Sequence, residues 1–187
     1  MKHEFRYHLF ASLALFFLTA IFLVINRSPN IQILSALFGI FFGSIILDTD
    51  HLIFWYFLKP NLEESRLART TIKNYDLKSL IKLINTSHST HHNLVFHHYF
   101  FQSILVLFTF FIFTFTNNLF VITLVVSLNL HLLVDEYIDF FINPKILQKW
   151  LFAREDTQLP TKFLNRYLAF FSFFLVIFIL LLFYSQI

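Results

Sequence analysis

The 187-residue chain contains no cysteine, and it has little glycine, proline or charge. The absence of cysteine excludes a disulfide framework and every thiolate metal site. Two glycines and four prolines are too few for a turn-rich β-sheet protein. Charged residues make up only 13% of the chain, whereas a soluble domain contains roughly 25%. The composition therefore excludes an ordinary soluble domain.

In place of those residues the chain carries long apolar runs, with 57% hydrophobic residues and 29 phenylalanines. A helix that crosses a bilayer needs about 20 mostly apolar residues. Five segments meet that requirement, at approximately 8–25, 31–58, 94–116, 119–142 and 163–184. The sequence therefore predicts an all-α fold, a polytopic membrane helical bundle that forms a single domain over residues 1–187.

The basic residues indicate an orientation in the membrane. If the N-terminus lies in the cytoplasm, 13 of the 14 Lys and Arg residues fall on cytoplasmic segments, and Arg27 alone falls outside. This bias predicts a multi-pass protein of the bacterial cytoplasmic (inner) membrane, with its N-terminus inside and its C-terminus outside. Anionic lipid then accounts for the net charge of +3, so no nucleic acid partner is expected.

Two cytoplasmic loops follow from this topology, at residues 59–92 and 143–162. In the first loop, "DLKSLIKLI" spaces its Leu and Ile residues along one face of a helix. The pattern allows an amphipathic helix on the inner membrane surface and equally an ordinary packing helix. Trp55, Tyr56 and Trp150 are expected to anchor the chain at the membrane interface.

Ionisable side chains occur within the apolar runs or at their mouths, and they fall in the cytoplasmic half of the predicted bundle. They are Asp48, Asp50 and His51 in "ILDTDHL", His92, His97 and His98 in "HHNLVFHHYF", His131 and Asp135 in "LHLLVDEY", and His8 in the first run. Four helices therefore bring His or Asp residues to one leaflet, at similar depths by the helical rise. This arrangement predicts that the side chains converge.

The spacing within the helices supports convergence. His131 and Asp135 are four residues apart, so they share one helix face, as two metal ligands of a helical motif do. Gly39 and Gly43 form a stripe of small residues that allows a second helix to approach closely. Asp50 follows Gly43 by seven residues, so it should point into the bundle and away from lipid.

The cost of burying charge in a bilayer favours a metal at this place. Each aspartate near the bilayer centre costs about 2.5–3.5 kcal/mol. A hydrogen bond between membrane helices returns only about 0.6–2 kcal/mol, whereas a bound divalent cation returns on the order of 10 kcal/mol. Zinc is the expected ion, with manganese or iron as alternatives, as one or two ions. For His8 a ligand role and a plain hydrogen bond between helices are both open, and His98 is an additional candidate.

The ordered motifs "DTDH", "HNLVFH" and "HLLVD" resemble those of the bacterial inner-membrane metal-dependent hydrolases, also called YdjM-like. The resemblance covers approximately residues 5–135. It implies metal ligands at Asp48, Asp50, His51, His92, His97, His131 and Asp135, with His8 matching a histidine of the family's first helix. The chain departs from the family pattern at Leu47, Asn93 and Phe96, where proline, arginine and threonine are usual. Because that arginine could orient a substrate phosphate, Asn93 leaves the substrate class open.

These observations predict a metal-dependent hydrolase whose site faces the cytoplasmic leaflet, acting on a phospholipid or another phosphoester or amphipathic substrate. With one metal, His97 and His131 with Asp135 or Asp50 would be ligands and Asp48 the general base; two metals are the alternative. Non-enzymatic alternatives are an intramembrane haem-binding electron carrier, a metal transporter and a scaffold with a structural metal. The oligomeric state is not predicted.

Overall fold

A computed structural model describes residues 4–87, 94–153 and 160–185. Within these ranges the regular elements are helices, with no strand, as predicted. The elements are α1 (Glu4–Ile25), α2 (Asn30–Ile46), α3 (Thr49–Ile53), a π-helical turn (Phe54–Leu58), α4 (Glu63–Lys73), α5 (Leu77–Ser87), α6 (Tyr99–Phe115), α7 (Leu119–Ile142), α8 (Pro144–Leu151) and α9 (Thr161–Tyr184).

Four stretches of the described chain are long and apolar enough to cross a membrane: Arg6–Ile25, Asn30–Leu58, Leu119–Ile142 and Thr161–Tyr184. Helix α6 is apolar but shorter, with 17 residues. Most of α7 is buried, whereas only 17–28% of the other three long stretches is buried. The exposed side chains are apolar, for example Phe10 at 75% and Phe115 at 72%. An apolar outer surface around a central helix is compatible with a membrane protein.

Helices α2 and α7 pack closely because α2 presents its two glycines to α7. A Cβ atom at Gly39 would lie 2.5 Å from the Phe120 carbonyl oxygen, and one at Gly43 would lie 2.6 Å from the Leu124 carbonyl oxygen. The contacts advance along both helices in the same direction, so α2 and α7 run parallel. The stripe of small residues therefore serves packing within the chain.

The second predicted segment, 31–58, is not one regular helix. It is divided at Leu47 and Asp48, where the Asp48 amide donates to the Ile45 carbonyl three residues back. The regular helical hydrogen bonds are interrupted at this tight turn. The Ser44 carbonyl accepts a hydrogen bond from the His131 ring in place of the Asp48 amide. The π-helical turn then completes the segment. The irregular backbone lies at the residues that were predicted to carry chemistry.

The third predicted segment, approximately 94–116, starts with irregular backbone, and of the two starts that the sequence allowed, Tyr99 and an earlier one, the helix takes Tyr99. Regular helix begins at Tyr99, and residues 94–98 form an irregular segment. The Val95 and Phe96 amides donate to the two carboxylate oxygens of Asp50, at 2.9 and 2.6 Å. Because Asp50 satisfies these amides from another part of the chain, the segment does not need helical pairing there.

Two of the three expected interfacial aromatic anchors are buried. Trp55 is fully buried, and its indole N–H donates to Glu64 Oε1 on α4 at 3.0 Å. Trp150 lies on α8, a helix not predicted within the loop 143–162, and its indole N–H donates to Asp139. Each buried indole N–H has a carboxylate partner, half-buried Glu64 for Trp55 and buried Asp139 for Trp150, which explains their position. Tyr56 is 42% exposed, as an interfacial anchor would be.

Candidate metal centre

Three histidines from three parts of the chain surround one buried carboxylate, that of Asp135 on α7. His8 Nε2 lies 2.7 Å from Asp135 Oδ1. His97 Nε2 and His131 Nε2 lie 3.3 and 3.2 Å from Asp135 Oδ2. The structure therefore brings together His8, whose role was open, with three residues of the predicted set.

The ring of His131 is oriented by a backbone carbonyl. Its Nδ1 lies 2.9 Å from the Ser44 oxygen, and because a carbonyl can only accept, Nδ1 must carry the proton. With the proton on Nδ1, Nε2 is the atom free to act as a ligand, and it faces Asp135 Oδ2 at 3.2 Å and Asp48 Oδ1 at 3.7 Å. Although these oxygens are near, this buried Nε2 makes no well-directed hydrogen bond within the described part of the chain. An unprotonated Nε2 that faces carboxylate oxygens fits a shared cation.

Asp50 contacts the His97 ring at Nδ1, on the side opposite to Asp135. Asp50 is fully buried, and its Oδ2 lies 3.2 Å from His97 Nδ1. Its oxygens also accept the Val95 and Phe96 amides. A carboxylate on Nδ1 fixes the ring so that Nε2 faces the centre, as in the carboxylate–histidine–metal arrangement of many metal sites. Asp50 is therefore placed to position a ligand, which differs from the predicted role as a ligand.

The centre has one accessible edge, at Asp48 and His8. The Asp48 side chain is 37% exposed and that of His8 is 16% exposed, whereas those of His97, His131 and Asp135 are at most 3% exposed. The rings of His8 and His131 pack with their centroids 4.3 Å apart. Asp48 is therefore the carboxylate of this centre that solvent or a substrate reaches most readily.

The donor atoms fit a divalent metal in distance and in type. One ligand atom from each of His8, His131 and Asp135 lies within 4.8 Å of the others. Two ligands on one tetrahedral zinc are about 3.3 Å apart, given bonds of about 2.0–2.2 Å. The Asp135 oxygens lie 2.7 and 3.2 Å from the His8 and His131 Nε2 atoms, close to that value, and His97 stands outside this group of three. Imidazole nitrogen with carboxylate oxygen suits zinc, iron or manganese.

Two further predicted site residues of the described chain, His51 and His98, do not lie among these donor atoms. His51 is buried behind His97, with ring centroids 6.5 Å apart, and its ring packs near Trp55. His98 Nδ1 accepts the Phe100 amide and so caps α6. His92 lies outside the described residues. The ligand role predicted for His51 and the additional role considered for His98 therefore have no support from the donor geometry.

Two further carboxylates are buried near the centre and were not predicted. Glu136 accepts from the Gln102 amide and the Tyr167 hydroxyl, each at 3.1 Å, and joins α6, α7 and α9. Asp139 receives the Trp150 indole N–H, and the Trp150 ring packs edge-on to His97 with centroids 5.9 Å apart. The sequence contained a signal for Asp139, which follows Asp135 by one helical turn on the face of His131.

The fold and the centre define a helical, membrane-type bundle with a buried histidine–aspartate cluster. No protein-family model, curated protein or solved structure matches this chain. Its function is therefore argued from the chemistry of the cluster.

Proposed function

We propose that the chain is a membrane-embedded metal-dependent hydrolase, as the resemblance to the YdjM-like proteins implies. One observation carries the proposal: the Nε2 atoms of His8, His97 and His131 converge on the buried Asp135 carboxylate, with Asp48 at the accessible edge. A carboxylate can also accept several hydrogen bonds, as Asp50 does. The support for a cation is that the buried Nε2 of His131, with carboxylate oxygens 3.2 and 3.7 Å away, makes no well-directed hydrogen bond in the described part of the chain.

The residues of the centre then divide into two roles. His8, His97, His131 and Asp135 would hold the cation, which when bound would polarise a phosphoryl or carbonyl oxygen as a Lewis acid. Asp48 would take the proton from the attacking water, because it is the exposed carboxylate and lies 3.7 Å from His131 Nε2.

The surroundings of the accessible edge favour an amphipathic substrate. Ile45 and Ile46 precede Asp48 by three and two residues, and they are 45% and 38% exposed. A polar reacting centre beside exposed apolar side chains suits a molecule with a charged head and an apolar tail. A phospholipid or a similar phosphoester is the proposed substrate class, and the cytoplasmic leaflet of the inner membrane is the proposed place.

The geometry favours this role over haem binding. Axial histidines must stand on opposite faces of a porphyrin. The His8 and His131 rings are 4.3 Å apart, which is the distance of direct ring contact. The carboxylate between the Nε2 atoms also supplies charge that haem iron does not need.

The experiment measures metal content and hydrolysis in the same detergent-purified protein. We expect stoichiometric zinc, manganese or iron, and metal-dependent cleavage of a nitrophenyl phosphodiester or of phosphatidylglycerol. Asp48→Asn should retain the metal and lose hydrolysis by roughly 100-fold or more, the usual contribution of a general base.

The matched control is Asp139→Asn, which changes another carboxylate of α7 while its remaining oxygen can still accept the Trp150 indole N–H. It should retain both metal and activity. Protein that carries none of the three metals would contradict the proposal, and so would Asp48→Asn with full activity.

A further inference from the structure

Helix α5 exposes an apolar strip that the bundle does not cover. Leu80 and Leu83 pack into a small core around Trp55. Leu77 and Ile81, one turn apart on the neighbouring strip of the same helix, remain 68% and 48% exposed. The helix is therefore apolar over a wider arc than its packing needs.

Lysines border the exposed strip on the side away from the core. Lys78 and Lys82 follow Leu77 and Ile81 by one residue each, so they form a parallel row about 100° further round the helix. Both are exposed. Residues 59–87 as a whole contain six basic and three acidic residues. The strip therefore lies in a positively charged setting.

The turn before α5 adds an exposed aromatic residue. Tyr75 has φ of +54° and is 89% exposed. The Tyr75 amide bonds to the Ile72 carbonyl and the Asp76 amide bonds to the Thr71 carbonyl, the pattern of a Schellman motif, in which glycine is usual at this position. The exposed Tyr75 lies two residues before Leu77, in the turn that joins α4 and α5, and we call these two helices the hairpin. We call Tyr75, Leu77, Ile81, Lys78 and Lys82 the hairpin patch.

The packing of α5 sets the level of the hairpin patch relative to the membrane. Trp55, on which α5 packs, belongs to the last turns of the apolar stretch Asn30–Leu58. Phe57 in the same turn is 79% exposed, so the apolar outer surface of the bundle reaches this level. The hairpin patch continues that surface where the apolar stretch ends, which is the level of lipid headgroups.

We propose that the hairpin patch docks on the anionic headgroup layer, with Leu77 and Ile81 at the acyl boundary and Lys78 and Lys82 on lipid phosphates. Apolar residues beside a row of lysines are the composition of helices that lie in a membrane interface. Each lysine near such a surface contributes about fivefold to binding. A second copy of the chain is a poorer occupant, because it would place the same lysines against each other.

The test uses the cysteine-free chain, in which a single introduced cysteine carries a single nitroxide label. Leu77→Cys and Ile81→Cys report on the hairpin patch, and Ser79→Cys on the opposite, exposed face of α5 is the matched control. The full-length protein is placed in vesicles of phosphatidylcholine, with and without phosphatidylglycerol. Collision rates with oxygen, which enters lipid, and with a water-soluble nickel chelate give the immersion of each label.

With phosphatidylglycerol present, the labels at positions 77 and 81 should be immersed while the label at position 79 stays in water. The double variant Lys78→Gln, Lys82→Gln should lower the ratio of docked to undocked hairpin by roughly 30-fold, and high salt should act in the same direction. Equal exposure of labels 77 and 79 to the chelate in both vesicles would overturn the proposal. Spin–spin broadening at position 77 would also overturn it, because it would show a second copy on the patch. None of these readouts depends on the metal or on hydrolysis.

Discussion

At the scale of single residues, the two aspartates of "DTD" have different surroundings. Asp50 is fully buried and accepts two backbone amides and the His97 ring. Asp48 is 37% exposed and faces His131. Although the two aspartates are only two positions apart, Asp50 positions a ligand whereas Asp48 reaches the accessible edge. The difference arises from the segment 94–98, whose Val95 and Phe96 amides and His97 ring bond to Asp50.

This difference predicts different effects of removing charge on metal binding. Asp135→Asn should abolish stoichiometric metal, because Asp135 is the carboxylate that the Nε2 atoms share. Asp50→Asn should weaken metal affinity by about 10–100-fold without abolishing it, as loss of a residue that positions a ligand does. Competition with a chelator of known affinity measures both effects in detergent-purified protein.

A matched comparison is Glu136→Gln, since Glu136 is as buried as Asp135 and adjacent to it but bonds to Gln102 and Tyr167. It should keep the metal affinity of the unchanged chain. If Asp135→Asn bound metal as tightly as Glu136→Gln does, the centre described here would not be the metal site.

The sequence supported much of the centre but could not assign all the roles. The proximity of His131 and Asp135 was predictable from their helical spacing. The burial of Asp50 was predictable from its spacing of seven residues from Gly43. The sequence left open whether His8 is a ligand or a hydrogen-bond partner, because that role depends on how α1 packs against α7. The roles of Asp50 and His98 depend on backbone amides of residues 95, 96 and 100, and irregular backbone has no periodic signal in a sequence.

At the scale of elements, the contact between α2 and α7 fixes the geometry of the centre. Gly39→Ala would place a methyl group 2.5 Å from the Phe120 carbonyl oxygen. That oxygen belongs to backbone, so the helices must separate. We expect a loss of about 3 kcal/mol in the free energy of unfolding, together with weaker metal binding, measured by thermal unfolding in detergent and metal titration.

The control for this change is Ser35→Ala on the same helix. The Ser35 hydroxyl bonds only to the Ile31 carbonyl of its own helix in the described contacts. Its loss should alter stability by less than about 0.5 kcal/mol. Equal stability of the two variants would show that α2 and α7 are not held at this distance.

The end of α1 gives a prediction of the opposite sign. Arg27 has φ of +55° and ends α1 with amide bonds from Arg27 to Val24 and from Ser28 to Leu23. Glycine adopts this conformation without the cost of about 1–2 kcal/mol that a side chain incurs. Arg27→Gly should therefore stabilise the protein by about 1 kcal/mol in thermal unfolding, and Ser28→Gly, which has no positive φ, should not. A decrease in stability for Arg27→Gly would contradict this reading of the turn.

Apolar length identified most long elements, because a run of about 20 apolar residues leaves little choice of structure. The bounds 119–142 and 163–184 agree with α7 and α9 to within two residues. The division of 31–58 was not predictable, since it depends on a bond between Ser44 and His131, 87 residues apart. Helix α8 was missed although Leu147, Trp150 and Leu151 share its buried face, because eight residues make only about two helical turns.

At the scale of the whole molecule, the parallel packing of α2 and α7 constrains the topology. Both run toward the metal centre from the same end of the bundle, so the chain must return to that end between them. Helix α6 alone is available for that return in the described part of the chain. Its 17 residues span about 26 Å, slightly less than the hydrocarbon core of about 30 Å. We therefore expect α6 to cross despite its length, which makes five crossings.

Single cysteines introduced into the cysteine-free chain test this topology in intact cells with a membrane-impermeant maleimide. Arg27→Cys, Asn117→Cys and Ser185→Cys should react from outside, whereas Lys82→Cys and Lys162→Cys should react only after lysis. Asn117 decides the outcome, because it lies in the turn between α6 and α7. If Arg27 and Asn117 reacted from opposite sides, α2 and α7 could not run parallel across the membrane, and Asp48 and Asp135 could not share one centre.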